Sequence, residues 1–235
     1  MKKLVLVDFD DTLVETAPAF HGARGALFRK LGEEGFSEED IRRVHFDEVD
    51  PELLKVHGMG PFRMAPSFRE TYLRLCSTLG QPVDPEVADA CEEFGRDFLG
   101  KPKVMDGSLE ALRDLAAVFP TVVFSQAAQE QYQIGRIRDA GVMEILGEDQ
   151  VRITERKTPK SFQEAVLHFG IQDASTAVMV GNSLRSDINP ALSAGSEAIL
   201  VEPYEMWHYD VVPPVSDDFL RFPTFPEAAA HLLGS

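Results

Sequence analysis

Four short apolar runs set the strongest limit on what this chain can fold into: Lys3 to Val7, Thr121 to Phe124, Ala177 to Val180 and Ala198 to Val201. Each is rich in Val, Leu or Ile, lacks polar alternation and stops abruptly. Strands of a parallel sheet read this way, because helices cover both faces and neither is left for water. Helical patterns accompany the runs at Ser108 to Val118, Gln129 to Ala140, Pro159 to Phe169 and Ser186 to Ala194. This alternation predicts an α/β fold built on a doubly wound parallel sheet.

The stretch from Glu15 to Lys103 breaks the pattern. It contains no convincing strand, but Phe68, Tyr72, Leu75 and Leu79, and then Val87, Cys91, Phe94 and Phe98, recur at i, i+4, i+7 and i+11. Each set lies on one helix face, and two such faces can bury each other in a small bundle. The expected organisation is an α/β core from residues 1–14 and 104–235 with a helical domain at 15–103. The chain would leave the sheet after the first strand and return near Met105-Asp106-Gly107, where the glycine marks a turn. Inside the helical domain, the stretch from His57 to Met64 reads as a connecting loop from which His57 and Arg63 could reach the distal part of a ligand.

A chain of 235 residues can build one sizeable core and an accessory unit. With 39 Asp and Glu against 23 Lys and Arg, the formal charge is −16. Such a surface repels nucleic acid and anionic lipid, so neither is an expected partner, and an anionic substrate must meet local positive charge from a metal ion or a placed Lys. No apolar run approaches the roughly 20 residues that span a bilayer. Lys2-Lys3 precedes only four apolar residues, short of a signal peptide. Cys76 and Cys91 make neither a zinc pattern nor a disulfide framework, and the histidines show no catalytic-zinc spacing, so a reducing cytoplasm is expected. Oligomeric state is not encoded in any pattern here.

Ligands of open parallel sheets gather beyond the carboxyl ends of the strands. Asp8, Asp10 and Thr12 follow the first run, Ser125 the second, and Gly181, Asn182, Ser183 and Asp187 follow Ala177 to Val180. A basic cluster, Arg156, Lys157 and Lys160, stands between the last two groups. Asp8, Asp10 and Asp11 are crowded enough to repel. A hard cation such as magnesium prefers oxygen ligands and relieves that repulsion, which suits phosphoryl transfer through a carboxylate nucleophile. Singly, each feature has a plainer reading: a cap for a helix beginning near Leu13, a turn hydroxyl at Ser125, a loop before a helix capped by Ser186. Their ordered convergence points to a site.

The stretch Asp-Phe-Asp-Asp-Thr-Leu resembles the first signature of the haloacid dehalogenase superfamily. It is followed in order by a Ser at a strand end, a Lys, and Gly-Asn-Ser-Leu-Arg-Ser-Asp, which is similar to that family's final acidic motif. The match spans Lys3 to about Val201, and the helical insertion resembles the family's cap domain. The resemblance implies Asp8 as the nucleophile that becomes an aspartyl-phosphate. Asp10 would be the general acid and base, its backbone carbonyl binding Mg2+, and Thr12 would orient it. Ser125 would bind a phosphate oxygen and Lys157 neutralise charge, while Asn182 and Asp187 complete the metal site with Asp8 and Asp10. Asp11 replaces the usual Gly, which Asp tolerates because it visits left-handed backbone. Asn182 replaces a commoner acid and coordinates without charge. For the Lys role, the spacing of Lys-Thr-Pro-Lys favours Lys157 over Arg156 or Lys160.

The expected activity is that of a magnesium-dependent phosphatase acting on a small phosphorylated metabolite. A dehalogenase of the same fold would need neither metal nor an acid, so Asp10 argues against it. A phosphomutase shares the nucleophile and the acid and stays open. A phosphorylated signalling module is disfavoured, since receiver domains are shorter and carry their phosphorylated Asp after the third strand.

Overall fold

The computed structural model describes residues 3–58, 60–202 and 211–234. The chain divides into two compact units, Met1–Ala17 with Lys101–Ser235, and Pro18–Gly100.

The first unit carries the strands β1 (Leu4–Val7), β2 (Val14–Glu15), β3 (Lys103–Val104), β4 (Thr121–Gln126), β5 (Val151–Thr154), β6 (Ala177–Gly181), β7 (Glu197–Val201) and β8 (Leu220–Phe222). Six form one parallel sheet in the order β5-β4-β1-β6-β7-β8. The central strand β1 pairs Val7 with Val123 of β4 and with Val180 of β6, so the three carboxyl ends lie side by side. The all-apolar runs are the strands buried on both faces. The two edge strands escape that pattern: Val151-Arg152-Ile153-Thr154 alternates and is partly exposed, and β8 has only three residues. The small antiparallel pair β2–β3 joins Glu15 to Lys103, whose Nζ donates to Glu15 Oε1 at 2.8 Å. This pairing draws residues 15–17 and 101–103 into the α/β unit, so the helical unit begins and ends a few residues inside the stretch that lacks a strand pattern.

The second unit holds α1 (Ala17–Glu33), α2 (Glu38–Arg42), α3 (Asp50–His57), α4 (Met64–Leu79) and α5 (Pro85–Phe94), with a π-helical segment at Arg43–Val49. Its core includes Leu27, Leu31, Phe68, Tyr72, Leu75 and Cys91, with Phe94 and Phe98 packed against it. Leu79 departs from its stripe: in the last turn before Gly80 ends the helix, it is 46% exposed. Gly95 lets the end of α5 meet the start of α4, since a Cβ there would lie 2.4 Å from the Ala65 nitrogen. Arg63 is buried and ion-paired with buried Asp50 at 3.0 Å, and it donates to the Gly60 carbonyl. It is thus a fastener of this unit's interior, and His57 is exposed; Met59 of the same loop lies outside the described residues.

The α/β unit is completed by α6 (Ser108–Val118), α7 (Glu130–Asp139), α8 (Val142–Leu146), α9 (Pro159–His168), α10 (Asn189–Ser193) and α11 (Phe225–Gly234). Because strand side chains alternate, Val5, Val7 and Val123 pack with Leu112, Leu115 and Phe225 on one face, and Leu4, Leu6 and Phe124 with Phe162 and Ile188 on the other. Phe162 meets Phe124 edge-on at 6.2 Å; its truncation to Ala would cost about 3–5 kcal/mol. Among the described residues no helix is long and apolar enough to cross a membrane.

Candidate active site

The site begins where β1 ends. The Asp8 amide donates to the Val180 carbonyl at 2.9 Å, extending the sheet by one residue, and the chain then curls. Leu13 and Val14 donate to the Phe9 carbonyl, and Asp11 to that of Val14, closing a tight loop in which Asp11 has φ 56°. Asp tolerates that left-handed conformation better than most residues. Its carboxylate accepts the amides of Thr16 and Ala17, both at 2.8 Å, where α1 begins. Burial pushes the Asp11 carboxyl up to about 6, and the two amide bonds only partly oppose this. The curl returns Thr16 onto Asp10.

Lys157 is the hub of the charged centre. Its Nζ donates to Asp8 Oδ1 and to Asp187 Oδ1, each at 2.5 Å, and all three side chains are at least nine-tenths buried. Burial, then the Asp187 charge, pushes the Asp8 carboxyl up to about 8 against the pull of Lys157. Burial also disfavours the Lys157 charge, but the two carboxylates outweigh it and raise the ammonium above its ordinary value. With both acids ionised, this buried trio would carry an excess negative charge that is costly to desolvate, which is why Asp8 holds its proton more tightly and what a further cation would relieve. Three features aim Lys157: its amide donates to Gln126 Oε1 at 2.8 Å at the end of β4, Thr158 caps α9 through a capping box, and Nζ lies 5.6 Å from the centre of the Phe124 ring. Arg156 is exposed, and Lys160 faces outward toward Glu164 at 3.7 Å. Neither takes the place of Lys157.

After β6, Gly181 leaves room for Asp187, since a Cβ on it would lie 2.4 Å from the carboxylate. Asp187 Oδ2 accepts the Ser183 amide at 3.0 Å, so both its oxygens are engaged. The helical turn Leu184–Ile188 that carries Asp187 is capped by Ser183, not Ser186: Ser183 Oγ accepts the Ser186 amide at 3.0 Å, starting the helical stretch earlier than its apolar pattern suggests. The Asn182 side-chain amide faces the Asp10 backbone carbonyl and Asp8 Oδ2, 3.2 and 3.3 Å away. Both are acceptors. Without a cation the amide must turn its NH2 toward them; with a cation among the three groups, its oxygen belongs there. Among the described residues no group of three or more His, Cys, Asp or Glu side chains is placed to hold a metal ion; the groups that converge here are one carboxylate, one amide and one backbone carbonyl.

Asp10 is held by three donors. Arg136 Nη1 donates to Oδ1 at 2.5 Å, Thr16 Oγ1 to Oδ1 at 2.6 Å, and Gln133 Nε2 to Oδ2 at 2.6 Å. Gln133 Nε2 also donates to Ser125 Oγ at 2.9 Å. Thr12 does not orient Asp10: it is fully buried, its Oγ1 has no partner among the described residues, and the curl brings Thr16 to that task instead. The pattern of α7 foreshadows Gln133 and Arg136. Stepping back from Ile137 and Ala140 at helical spacing lands on them, and these two polar residues occupy the buried stripe of a core helix. Thr16 carries no comparable signal.

The structure therefore brings Asp8, Asp10, Ser125, Lys157, Asn182 and Asp187 to one end of the sheet. The family model of haloacid dehalogenase-like hydrolases matches residues 2–195, and the chain belongs to that family. None of the curated proteins matches the sequence. Among solved structures, a haloacid dehalogenase-like family hydrolase from Xanthomonas campestris superposes with a TM-score of 0.78 at 23% identity, over 98% of this chain and 91% of the other. A 2-haloacid dehalogenase from Pseudomonas syringae pv. Tomato DC3000 gives 0.57 at 25% identity, over 100% and 99%. The HAD-hydrolase YfnB from Bacillus subtilis, solved bound to magnesium, gives 0.62 at 17% identity, over 98% of each chain.

Proposed function

We propose that this hydrolase is a magnesium-dependent phosphatase that cleaves a small phosphorylated metabolite through an aspartyl-phosphate on Asp8. The observation that carries this reading is Asp10, a carboxylate oriented by three donors beside the nucleophile. Hydrolysis of a 2-haloacid expels halide, which needs no proton, so the acid half of this role would have no use there. The likeness to a 2-haloacid dehalogenase makes that reaction the rival to be tested.

Asp8 Oδ2, the Asp10 carbonyl and the Asn182 amide oxygen would hold Mg2+. Bound there, it would neutralise the phosphate and the crowded carboxylates. The Asp8 carboxylate attacks phosphorus, the bond from phosphorus to the ester oxygen breaks, and Asp10, which must enter this step in its protonated form, gives that oxygen its proton and is left as the carboxylate its three donors favour. Lys157 offsets the charge gathered on Asp8 and the phosphoryl group, and the Ser125 hydroxyl donates to a phosphoryl oxygen. In the second half, Asp10 takes a proton from water, the water oxygen bonds to phosphorus, and the Asp8–phosphorus bond breaks to release phosphate. The helical unit, Pro18–Gly100, would act as a cap that admits water and selects the substrate. A mutase would instead pass the phosphoryl group to a second substrate hydroxyl.

Assay of the purified chain on a panel of phosphorylated metabolites and on 2-haloacids, with magnesium and with chelator, tests the proposal. Phosphate release that disappears in chelator and returns with magnesium is expected. Halide release that persists in chelator, with phosphate esters untouched, would establish the rival.

A further inference from the structure

We propose that Gln133 and Arg136 are a positioning pair that holds Asp10 in register with the phosphate-binding Ser125, so that proton donor and phosphate grip are set by one helix face. The inference rests on the phosphatase reading. The two residues stand at i and i+3 on α7, which follows the strand that ends in Ser125.

Arg136 donates into this network through both terminal nitrogens. Nη1 donates to Asp10 Oδ1 at 2.5 Å and to Gln133 Oε1 at 3.2 Å, and Nη2 donates to Thr16 Oγ1 at 3.1 Å. Its carbon stem and head are 6% exposed, the guanidinium lies 5.4 Å from the centre of the Phe9 ring, and its Nε is buried with no partner among the described residues. A buried Arg with an unsatisfied nitrogen is a poor device for stability, because an apolar side chain of similar volume would avoid the desolvation cost. What the Arg does supply is direction.

Its bond to Gln133 Oε1 fixes which way the amide faces. The Gln133 NH2 then spends one hydrogen on Asp10 Oδ2 and the other on Ser125 Oγ. Because Ser125 accepts in that bond, its own hydrogen stays available to donate to a phosphoryl oxygen. One amide thus sets both the carboxylate that moves the proton and the hydroxyl that grips the phosphate.

The test compares Arg136→Gln, Arg136→Lys and Gln133→Met on two esters, an alkyl phosphate that needs a proton on its leaving oxygen and an activated aryl phosphate that does not. General acid catalysis is worth about 10²- to 10⁴-fold. Arg136→Gln is expected to lose about 10²-fold in kcat on the alkyl ester and less than about 10-fold on the aryl ester, with Arg136→Lys recovering part of the difference. Gln133→Met, which keeps the shape, should add a rise in KM for both esters through Ser125. In an Asp10→Asn background, Arg136→Gln should cost less than about 3-fold more on the alkyl ester. Equal losses on the two esters, or full additivity with Asp10→Asn, would reduce the pair to a structural bolt and overturn the inference while wild-type phosphatase activity stands. A wild-type chain inactive on both esters would overturn the phosphatase reading, and the inference with it.

Discussion

Asp187 is bound to Lys157 rather than left open: its Oδ1 accepts from Nζ at 2.5 Å while its Oδ2 takes the Ser183 amide at 3.0 Å. Each oxygen thus already accepts one bond, and on the proposed reading Asp187 would serve the hub lysine while direct coordination of a cation would fall to Asp8, the Asp10 carbonyl and Asn182. Asp187→Asn should therefore lower kcat at saturating magnesium by about 10-fold or more, through a misplaced Lys157. Magnesium affinity, measured by calorimetry, should change less than about 10-fold. A large loss of affinity with kcat unchanged at saturating magnesium would make Asp187 a ligand instead.

Asn182→Asp tests the oxygen set from the other side. The added carboxylate would face Asp8 Oδ2 and the Asp10 carbonyl with no hydrogen to donate, so the metal-free protein should melt at a lower temperature. Magnesium should then bind more tightly and raise the melting temperature by more than it does in the wild type. An unchanged response to magnesium in thermal unfolding would remove Asn182 from the set.

Asp11 makes a prediction about pH. Its carboxyl titrates near 6 in the folded chain against an ordinary 3.8, chiefly because it is buried, so the folded state holds the proton more tightly. Its contribution to stability is complete below about pH 4 and is lost as pH rises through about 6. Asp11→Asn keeps an acceptor for the Thr16 and Ala17 amides, suits the left-handed backbone and carries no charge to bury. In chelator it should be more stable than wild type at pH 7 to 8, by on the order of 1–2 kcal/mol, and no more stable near pH 4. The same raised behaviour of Asp8 is common to both proteins and cancels in the difference. A variant less stable than wild type at pH 8 would show that the charge is better accommodated than its burial suggests.

The parallel sheet was legible because its central strands are buried on both faces, and nothing but continuous apolar runs such as Leu4 to Val7 fits there. Edge strands face water on one side, so Val151 to Thr154 and Leu220 to Phe222 carry weak patterns. Residues that end strands were equally legible, since the parallel register forces Asp8, Ser125 and Asn182 together. The orientation of Asp10 was not. It depends on Thr16, returned by the curl at Asp11, and on Gln133 and Arg136, 123 and 126 residues away along the chain. Thr12 was implied as the partner by the family resemblance, but the curl turns its hydroxyl to a place where it meets no partner among the described residues. Arg63 misled in the opposite sense: a Gly-punctuated loop reads as open, whereas its guanidinium is committed to Asp50.

The proposed nucleophile, Asp8, can be tested directly. Asp10→Asn, mixed with an activated aryl phosphate and magnesium and quenched in acid within the first turnover, should accumulate the covalent intermediate, because hydrolysis loses its base while an aryl leaving group departs with little need of an acid. Mass spectrometry of the digested protein should then find one added phosphoryl group on the peptide that contains Asp8, and none in the Asp8→Asn, Asp10→Asn double variant. Aryl phosphate turnover without phosphate on that peptide, or with the label on another residue, would contradict the assignment of Asp8.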